Sequence, residues 1–95
     1  MPGAVRIGDL CSGHDDCRPQ SLISASPNVN INGRGAGRTG DRFAVHGCLD
    51  HEMHKDFISG GSTTVRINGL NAGRAGDPVN KEGYVSSGSN NVFIG

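Results

Sequence analysis

One thirteen-residue motif recurs along this chain. Residues 29–41 read VNINGRGAGRTGD and residues 65–77 read VRINGLNAGRAGD, with nine of thirteen positions identical. A third copy is split between the chain ends: joining residues 92–95 to residues 1–9 gives VFIGMPGAVRIGD, with six of the shared residues in place. Because the two halves of one unit must lie together, the motif predicts that the termini meet and that the chain closes into a pseudo-threefold ring.

Each unit of this ring is predicted to be a β-hairpin. The motif begins with Val-x-Ile, the period-two alternation of a half-buried strand. Asn32-Gly33 and Asn68-Gly69 then favour type I′ turns, which need a positive φ at both central residues. Short second strands are expected at residues 36–38 and 72–74, and a Gly-Asp pair ends each motif.

Three connections of unequal length join the hairpins, at residues 10–28, 42–64 and 78–91. They converge at the end of the ring opposite the Asn-Gly turns, and the second is the longest. This arrangement predicts a body that tapers toward the connections and has a flat base at the turns. The expected fold class is all-β, a small cone of three pseudo-threefold β-hairpin repeats, with at most one helical turn at residues 52–58.

The composition fits one small domain covering residues 1–95. Sixteen glycines, 4% aromatic residues and no tryptophan leave a lean core, which usually needs a disulfide or a metal. The formal net charge of zero provides no basic surface for nucleic acid. The N-terminus lacks the hydrophobic stretch of a signal peptide, so we expect the protein to be made in the cytoplasm and to bypass the general export pathway.

All four histidines and all three cysteines lie in the first two connections. In a reducing compartment this mixture is more typical of metal binding than of disulfides, and sulfur with imidazole favours tetrahedral zinc. We expect one structural zinc ion at the apex, bound by three imidazoles and one thiolate drawn from His14, His46, Cys48, His51 and His54. Cys11 and Cys17 are reserve ligands, with a disulfide between them as the alternative.

Two motif matches are rejected as functional sites. Residues 35–40 match G-x-G-x-x-G, but a hairpin surrounds them instead of a βαβ unit. Residues 51–54 read HEMH, one residue shorter than H-E-x-x-H, whose histidines share one face of a helix. We therefore expect no catalytic residue. A small zinc-dependent hydrolase with Glu52 as its base, or a zinc-binding adaptor, is the alternative.

An arginine and an aspartate also recur three residues apart in every copy. Aspartate commonly accepts turn hydrogen bonds, and an arginine stem packs along a sheet, so a structural role is favoured. The alternative is that the arginines project toward a threefold partner. The pairs are Arg6/Asp9, Arg38/Asp41 and Arg74/Asp77.

The whole chain resembles the PAAR-repeat family. Residues 61–65 (GSTTV) and 88–95 (GSNNVFIG) match its G-S-x-x-V and V-F-I-G pieces, and residues 45–54 (VHGCLDHEMH) are similar to the histidine-rich loop common in phage-type members. The chain departs from the family in lacking the proline of Pro-Ala-Ala-Arg. It also has Lys81 where many members have a cysteine, so the third connection is expected to give no metal ligand.

The resemblance implies a non-enzymatic spike tip, a sharp zinc-bound cone that aids penetration of a target membrane. Its partner would be a trimeric spike, either VgrG of type VI secretion or the phage tail equivalent, with one copy of this chain per trimer. A separate effector is a further candidate partner, and the membrane is contacted only transiently, during puncture. The tip would leave the cell within an injection machine or a virion tail, and no fused toxin domain is expected.

The flat base is the surface expected to bind the trimer. Short strands there have edges and apolar side chains that could continue the partner's β-structure. The six residues expected to make this contact are Val29, Ile31, Val65, Ile67, Val92 and Ile94.

Overall fold

The computed structural model of the chain describes residues 1–13, 18–48, 51–54, 56–80 and 83–95, with the backbone alone for 46–48 and 51–54. This part of the chain forms strands, bridges and turns, and it contains no helix. The all-β class is therefore confirmed. Residues 52–54 lie in a strand, so the helical turn expected near them is wrong for that segment.

The described residues form three two-stranded antiparallel sheets. Each is a hairpin, and the first and third contain the Asn-Gly dipeptides at their tips. Their strands pair as β1 (Asn30–Ile31) with β2 (Arg34–Gly35), β3 (His46–Cys48) with β4 (His51–His54), and β5 (Arg66–Ile67) with β6 (Leu70–Asn71).

The Asn-Gly turns have the backbone that a type I′ hairpin requires. Asn32 and Gly33 have φ of 54° and 77°, and Asn68 and Gly69 have φ of 55° and 80°. Positive φ at both central positions matches the right-handed twist of the flanking strands, which explains why this dipeptide recurs. The second strands begin two residues earlier than the alternation of the motif predicted.

The hairpin of the split repeat is built from the two ends of the chain. Gly3 and Phe93 form an antiparallel bridge, and the Ile94 N–H donates to the Pro2 carbonyl at 3.0 Å. The termini therefore meet, as the split repeat predicted. Gly95 and Met1 occupy the places that asparagine and glycine hold in the other two turns.

A closed ring of main-chain hydrogen bonds joins the three units. Val5 N–H donates to Gly73 O at 3.1 Å, Gly73 N–H to Gly37 O at 2.9 Å, and Gly37 N–H to Val5 O at 2.9 Å. Bridges between the units follow the same cycle: Arg6 with Ala36, Arg38 with Ala72, and Arg74 with Ala4. Each unit thus contacts both others in the same way, so the hydrogen-bond pattern is pseudo-threefold.

The connections form a second tier of hairpins above the first. Each connection folds back on itself and bridges its neighbours in a second cycle, Cys11 with Val85, Leu22 with Phe43, and Ile58 with Val79. The middle connection continues into β3 and β4, which extend beyond these bridges. The molecule is correspondingly elongated, with extents of 37 × 24 × 21 Å.

Two apolar clusters fill the interior. We call the first the basal cluster; it takes one isoleucine and one alanine from each unit, Ala4, Ile31, Ala36, Ile67, Ala72 and Ile94. We call the second the axial cluster; it lies between the connections and contains Val5, Cys11, Leu22, Phe43, Ile58, Val79 and Val85.

Val5 breaks the threefold pattern for a steric reason. Its counterparts in the other units are Gly37 and Gly73, where a Cβ would lie 2.7 Å and 2.5 Å from the Val5 Cγ1. Contacts below 3 Å require something to shift, so the axis has room for one side chain. The Val5 side chain therefore fills the space at the axis, and the two equivalent positions are glycines.

A circular permutant is expected to fold. If Gly95 is joined to Met1 by a short linker and the chain is opened between Asn32 and Gly33, every interior contact remains. Circular dichroism and thermal melting should show a β-rich, cooperatively folded protein. A matched permutant opened between Gly37 and Arg38, beside the axial ring of hydrogen bonds, should not fold. An unfolded first permutant would contradict the closed-ring architecture.

Candidate functional site

The β3–β4 hairpin places four candidate metal ligands at two cross-strand positions. His46 lies directly opposite His54, and Cys48 lies opposite His51. Directly opposed residues in an antiparallel pair have Cα atoms about 4.5–5.5 Å apart. Folding of this one hairpin therefore brings three histidines and one cysteine of the middle connection into register.

A β-bulge allows ligand candidates that are differently spaced on β3 and β4 to lie opposite each other. His46 and Cys48 are two residues apart on β3, whereas their partners His54 and His51 are three apart on β4. The extra residue in β4 shifts the register between the two rungs. The i, i+3 spacing that excluded a helical H-E-x-x-H site is therefore accommodated in a strand.

The donor set fits a structural zinc ion. Three imidazole nitrogens and one thiolate would supply the four nitrogen and sulfur ligands that a tetrahedral zinc ion takes. His14, the fifth candidate, lies outside the described residues, as does Cys17. Among the side chains that are described, no group of three histidine, cysteine, aspartate or glutamate residues is assembled, and none of the four histidines is in that set.

Cys11 is a core residue. Its side chain is 2% exposed within the axial cluster, and its thiol is free. Its counterparts in the other two connections are Phe43 and Val79, which are also buried. The structure therefore places Cys11 in the packing of the core, and Cys17, its partner in the alternative disulfide, lies outside the described residues.

The end of the molecule that carries the three hairpin tips, here called the turn end, combines a buried ring with an exposed one. The isoleucines expected to contact a partner, Ile31, Ile67 and Ile94, are each only 8% exposed and belong to the basal cluster. The valines two residues earlier are more accessible: Val29 is 36% and Val65 37% exposed, and Val92 is half-buried. The valine ring is therefore one part of the apolar surface that solvent reaches at this end, beside Met1, Leu70 and Phe93, which are 86%, 43% and 51% exposed.

Each connection delivers a buried serine to the turn end. The Ser26 Oγ accepts hydrogen bonds from the main-chain N–H groups of Asn28 and Val29, at 3.3 and 2.9 Å. Ser62 and Ser89 do the same for the residues two and three positions after them. This turn fixes where each repeat begins, so the recurring serine is part of the architecture.

A network of asparagines surrounds the turns. The Asn32 Oδ1 accepts hydrogen bonds from Arg6 Nη1 at 2.9 Å and from Ser89 Oγ at 2.7 Å. Its Nδ2 donates to Asn91 Oδ1 at 2.9 Å. Sequence reasoning missed these residues, although the pattern Ser-x-Asn or Ser-x-Thr at 26–28, 62–64 and 89–91 is visible.

The second Asn-Gly turn has fewer of these bonds. Asn68 Oδ1 accepts from Arg38 Nη1 at 3.1 Å, and its Nδ2 donates to Asn28 Oδ1 at 2.8 Å. In the unit built from the termini, Gly95 stands in place of the asparagine. Its carbonyl oxygen accepts the hydroxyl of Ser62, so a main-chain oxygen replaces a side-chain one.

Each repeated arginine forms an ion pair with the aspartate of its own unit. Arg6 Nε and Nη2 reach the two carboxylate oxygens of Asp9 at 3.0 and 3.1 Å, and Arg38 reaches Asp41 at 2.9 and 3.0 Å. Arg74 pairs with Asp77 in the same way. The arginine side chains are 12%, 14% and 24% exposed, which favours the structural role over projection toward a partner.

A scan of known protein families finds no model that matches this sequence, and a search of curated proteins finds no match. The described part of the chain contains no pocket and no helix able to cross a membrane.

Proposed function

We propose that this chain is the tip of a trimeric spike in a contractile injection machine. The observation that carries the proposal is the closed ring of hydrogen bonds through Val5, Gly37 and Gly73. Because that ring relates three like units about one axis, a single chain presents nearly equivalent surfaces to three partner subunits. The resemblance to the PAAR-repeat family leads to the same function.

The turn end is the surface we propose for the spike. It carries the exposed valine ring above the basal isoleucines, and it is flanked by the asparagine network. Apolar contact surrounded by polar hydrogen-bonding groups is the usual composition of a specific interface. Such a surface is suited to a partner that covers it, and Val92 packs against the basal cluster.

The opposite end is the proposed point. One connection extends there as the β3–β4 hairpin, and the extents of 37 × 24 × 21 Å support a cone that narrows toward this hairpin. We propose that His46, Cys48, His51 and His54 bind zinc. In the alternative ligand set, His14 replaces one of these three histidines. When bound, the ion would cross-link the two strands of an apex that has little apolar content.

In this role the protein has no catalytic step. It would be made in the cytoplasm, mounted on a VgrG-like or phage tail spike, and carried out of the cell when the machine fires. Its contact with the target membrane would be brief, and a separate effector could travel with the tip. The function is mechanical, because the threefold base transmits load to a rigid point.

One copy of the chain is expected to bind one spike trimer. The test mixes the purified chain with the trimeric spike protein from its own genome, and native mass spectrometry measures the stoichiometry. A 1:3 complex that persists at high salt is expected, because an apolar contact is little affected by screening. A 3:3 complex, or no binding, would reject the proposal.

Surface variants locate the contact. The double variant Val29→Asp/Val65→Asp should abolish the complex, because it places two carboxylates in the valine ring. The matched control is Ile23→Asp, which changes an aliphatic residue of the upper tier that is 52% exposed. Circular dichroism must show all variants folded, and equal binding by both would place the interface elsewhere.

A further inference from the structure

We propose that Asn68-Gly69 is a site of spontaneous deamidation and that the hydrogen bonds of the turn end protect Asn32-Gly33 from the same reaction. Both asparagines are exposed and precede a glycine. A Cβ at Gly33 or Gly69 would have no atom within 4 Å, so solvent surrounds both turns. The inference concerns the chemistry of the chain itself and does not depend on the proposed function.

The attacking group is free in both turns. Among the described residues, the main-chain N–H groups of Gly33 and Gly69 donate no hydrogen bond. Glycine has no side chain to hinder approach of its nitrogen to the preceding side chain. The nucleophile, the electrophile and the water that completes the reaction are therefore all present.

The reaction balances without any cofactor. The Gly69 amide nitrogen attacks the Asn68 side-chain carbonyl carbon, and a new C–N bond closes a five-membered imide. The bond from that carbon to Nδ2 breaks, and ammonia leaves with the proton lost by the glycine amide. Water then opens the imide at either carbonyl, which gives aspartate or isoaspartate.

Hydrogen bonds to the carboxamide control how often this geometry is reached. The backbone of a type I′ turn must rotate before the nitrogen can reach the side-chain carbon, so the fold slows the reaction. The Asn32 carboxamide makes three hydrogen bonds, with Arg6, Ser89 and Asn91, whereas the Asn68 carboxamide makes two, with Arg38 and Asn28. Asn68 is therefore released from its native rotamer more often.

Conversion of Asn68 would change the turn end. Its Nδ2 donates to the Asn28 Oδ1 at 2.8 Å, and aspartate would oppose two acceptor oxygens there. The isoaspartate product would also lengthen the main chain inside a two-residue turn. The reaction thus introduces a negative charge and a backbone lesion on the face that carries the valine ring.

The test follows both asparagines during incubation at mildly alkaline pH, with peptide mapping by mass spectrometry. Asn68 should convert roughly two- to tenfold faster than Asn32, the effect of about one hydrogen bond. An unstructured peptide spanning residues 66–71 should convert faster than either. Equal rates, faster conversion of Asn32, or no conversion of Asn68 after the peptide has fully reacted would overturn the proposal.

A matched pair of variants tests the cause. Asn91→Ala removes the acceptor of the Asn32 Nδ2 and should raise the Asn32 rate toward that of Asn68, with the Asn68 rate unchanged. Asn30→Ala removes an exposed side chain that lies outside the hydrogen bonds described for the two turns, and it should alter neither rate. An unchanged Asn32 rate in Asn91→Ala would show that the hydrogen bonds do not control the reaction.

Discussion

The purified chain is expected to contain one zinc ion, and His51→Ala is expected to lose it. The register of the β3–β4 hairpin brings His51 opposite Cys48 and His46 opposite His54. Zinc supplies roughly 10–16 kcal/mol of apparent folding free energy in small metal-organised domains, so removing one ligand should have a large effect on the apex. Elemental analysis of protein made without added metal measures the zinc content.

Lys81→Ala is the matched control, because it changes a residue of the third connection, which carries no histidine or cysteine. It should retain one equivalent of zinc. His14→Ala separates the two ligand sets that remain open: retained zinc would assign the site to the middle connection alone, and lost zinc would tie the first connection to it.

Metal removal should affect the two ends of the molecule differently. The axial and basal clusters are formed by residues of all three units and do not include a histidine. Hydrogen exchange should therefore show that a chelator unprotects residues 46–54 while the amides of Val5, Gly37 and Gly73 stay protected. Wild-type protein with well below one equivalent of any transition metal would contradict the metal site, and bound iron would overturn only the choice of ion.

Much of the fold could be predicted because the same motif occurs three times in the chain. A repeated Asn-Gly between strand-like segments has one good solution, the type I′ turn, and Asn32 and Asn68 both adopt it. The split of the third copy required the termini to meet, and the pairing of Gly3 with Phe93 shows that they do. The turn type follows from the local sequence, and ring closure follows from the split of the third copy. The motif alone was therefore enough to predict both.

The connections were harder, because their equivalence is not visible as identical residues. One three-residue segment has the same place in each of the three units: Asp9-Leu10-Cys11, Asp41-Arg42-Phe43 and Asp77-Pro78-Val79. Alignment on the aspartate shows that Cys11 stands where the others have apolar residues, which predicts burial. The burial of Cys11 was missed because the residue was grouped with Cys17 as a candidate ligand.

Burial at the turn end also could not be inferred from alternation. A Val-x-Ile pattern places the valine and isoleucine on one face, but it does not show which of the two side chains lies deeper at the end of the core. The isoleucines belong to the basal cluster, Val92 packs against it, and Val29 and Val65 are exposed. The position of Val5 at the axis could not be predicted either. Only the packing of the three strands shows that the axis has room for one side chain.

Replacing Asp9 with alanine is expected to destabilise the fold by about 3–5 kcal/mol, the usual cost of removing one partner from a buried ion pair. Asp9 is 5% exposed and binds the Arg6 side chain through both carboxylate oxygens. It also accepts the Arg6 main-chain N–H and the Ser87 hydroxyl. The variant would leave a largely buried guanidinium without its carboxylate.

Asp77→Ala is the matched comparison within the same fold and should cost less, about 1–3 kcal/mol. Its partner Arg74 is 24% exposed, twice as much as Arg6, so water can solvate the guanidinium that the variant leaves unpaired. Urea denaturation of both variants measures the difference. Equal losses would show that burial of the arginine does not set the cost.

The ion pair between Asp9 and Arg6 also predicts how the stability of the fold depends on pH. Burial raises the pKa of Asp9, but the hydrogen bonds from the Arg6 side chain and main chain outweigh it, so the pKa lies below its ordinary value. A carboxyl whose pKa is lower in the folded than in the unfolded chain contributes stability above the unfolded-state pKa of about 3.9 and loses it as the pH falls through the folded-state value. The gap in stability between wild type and Asp9→Ala should therefore be constant near neutrality and shrink below about pH 4. A gap that stays the same down to about pH 2 would mean that the Asp9 carboxylate is not the group whose charge Arg6 stabilises.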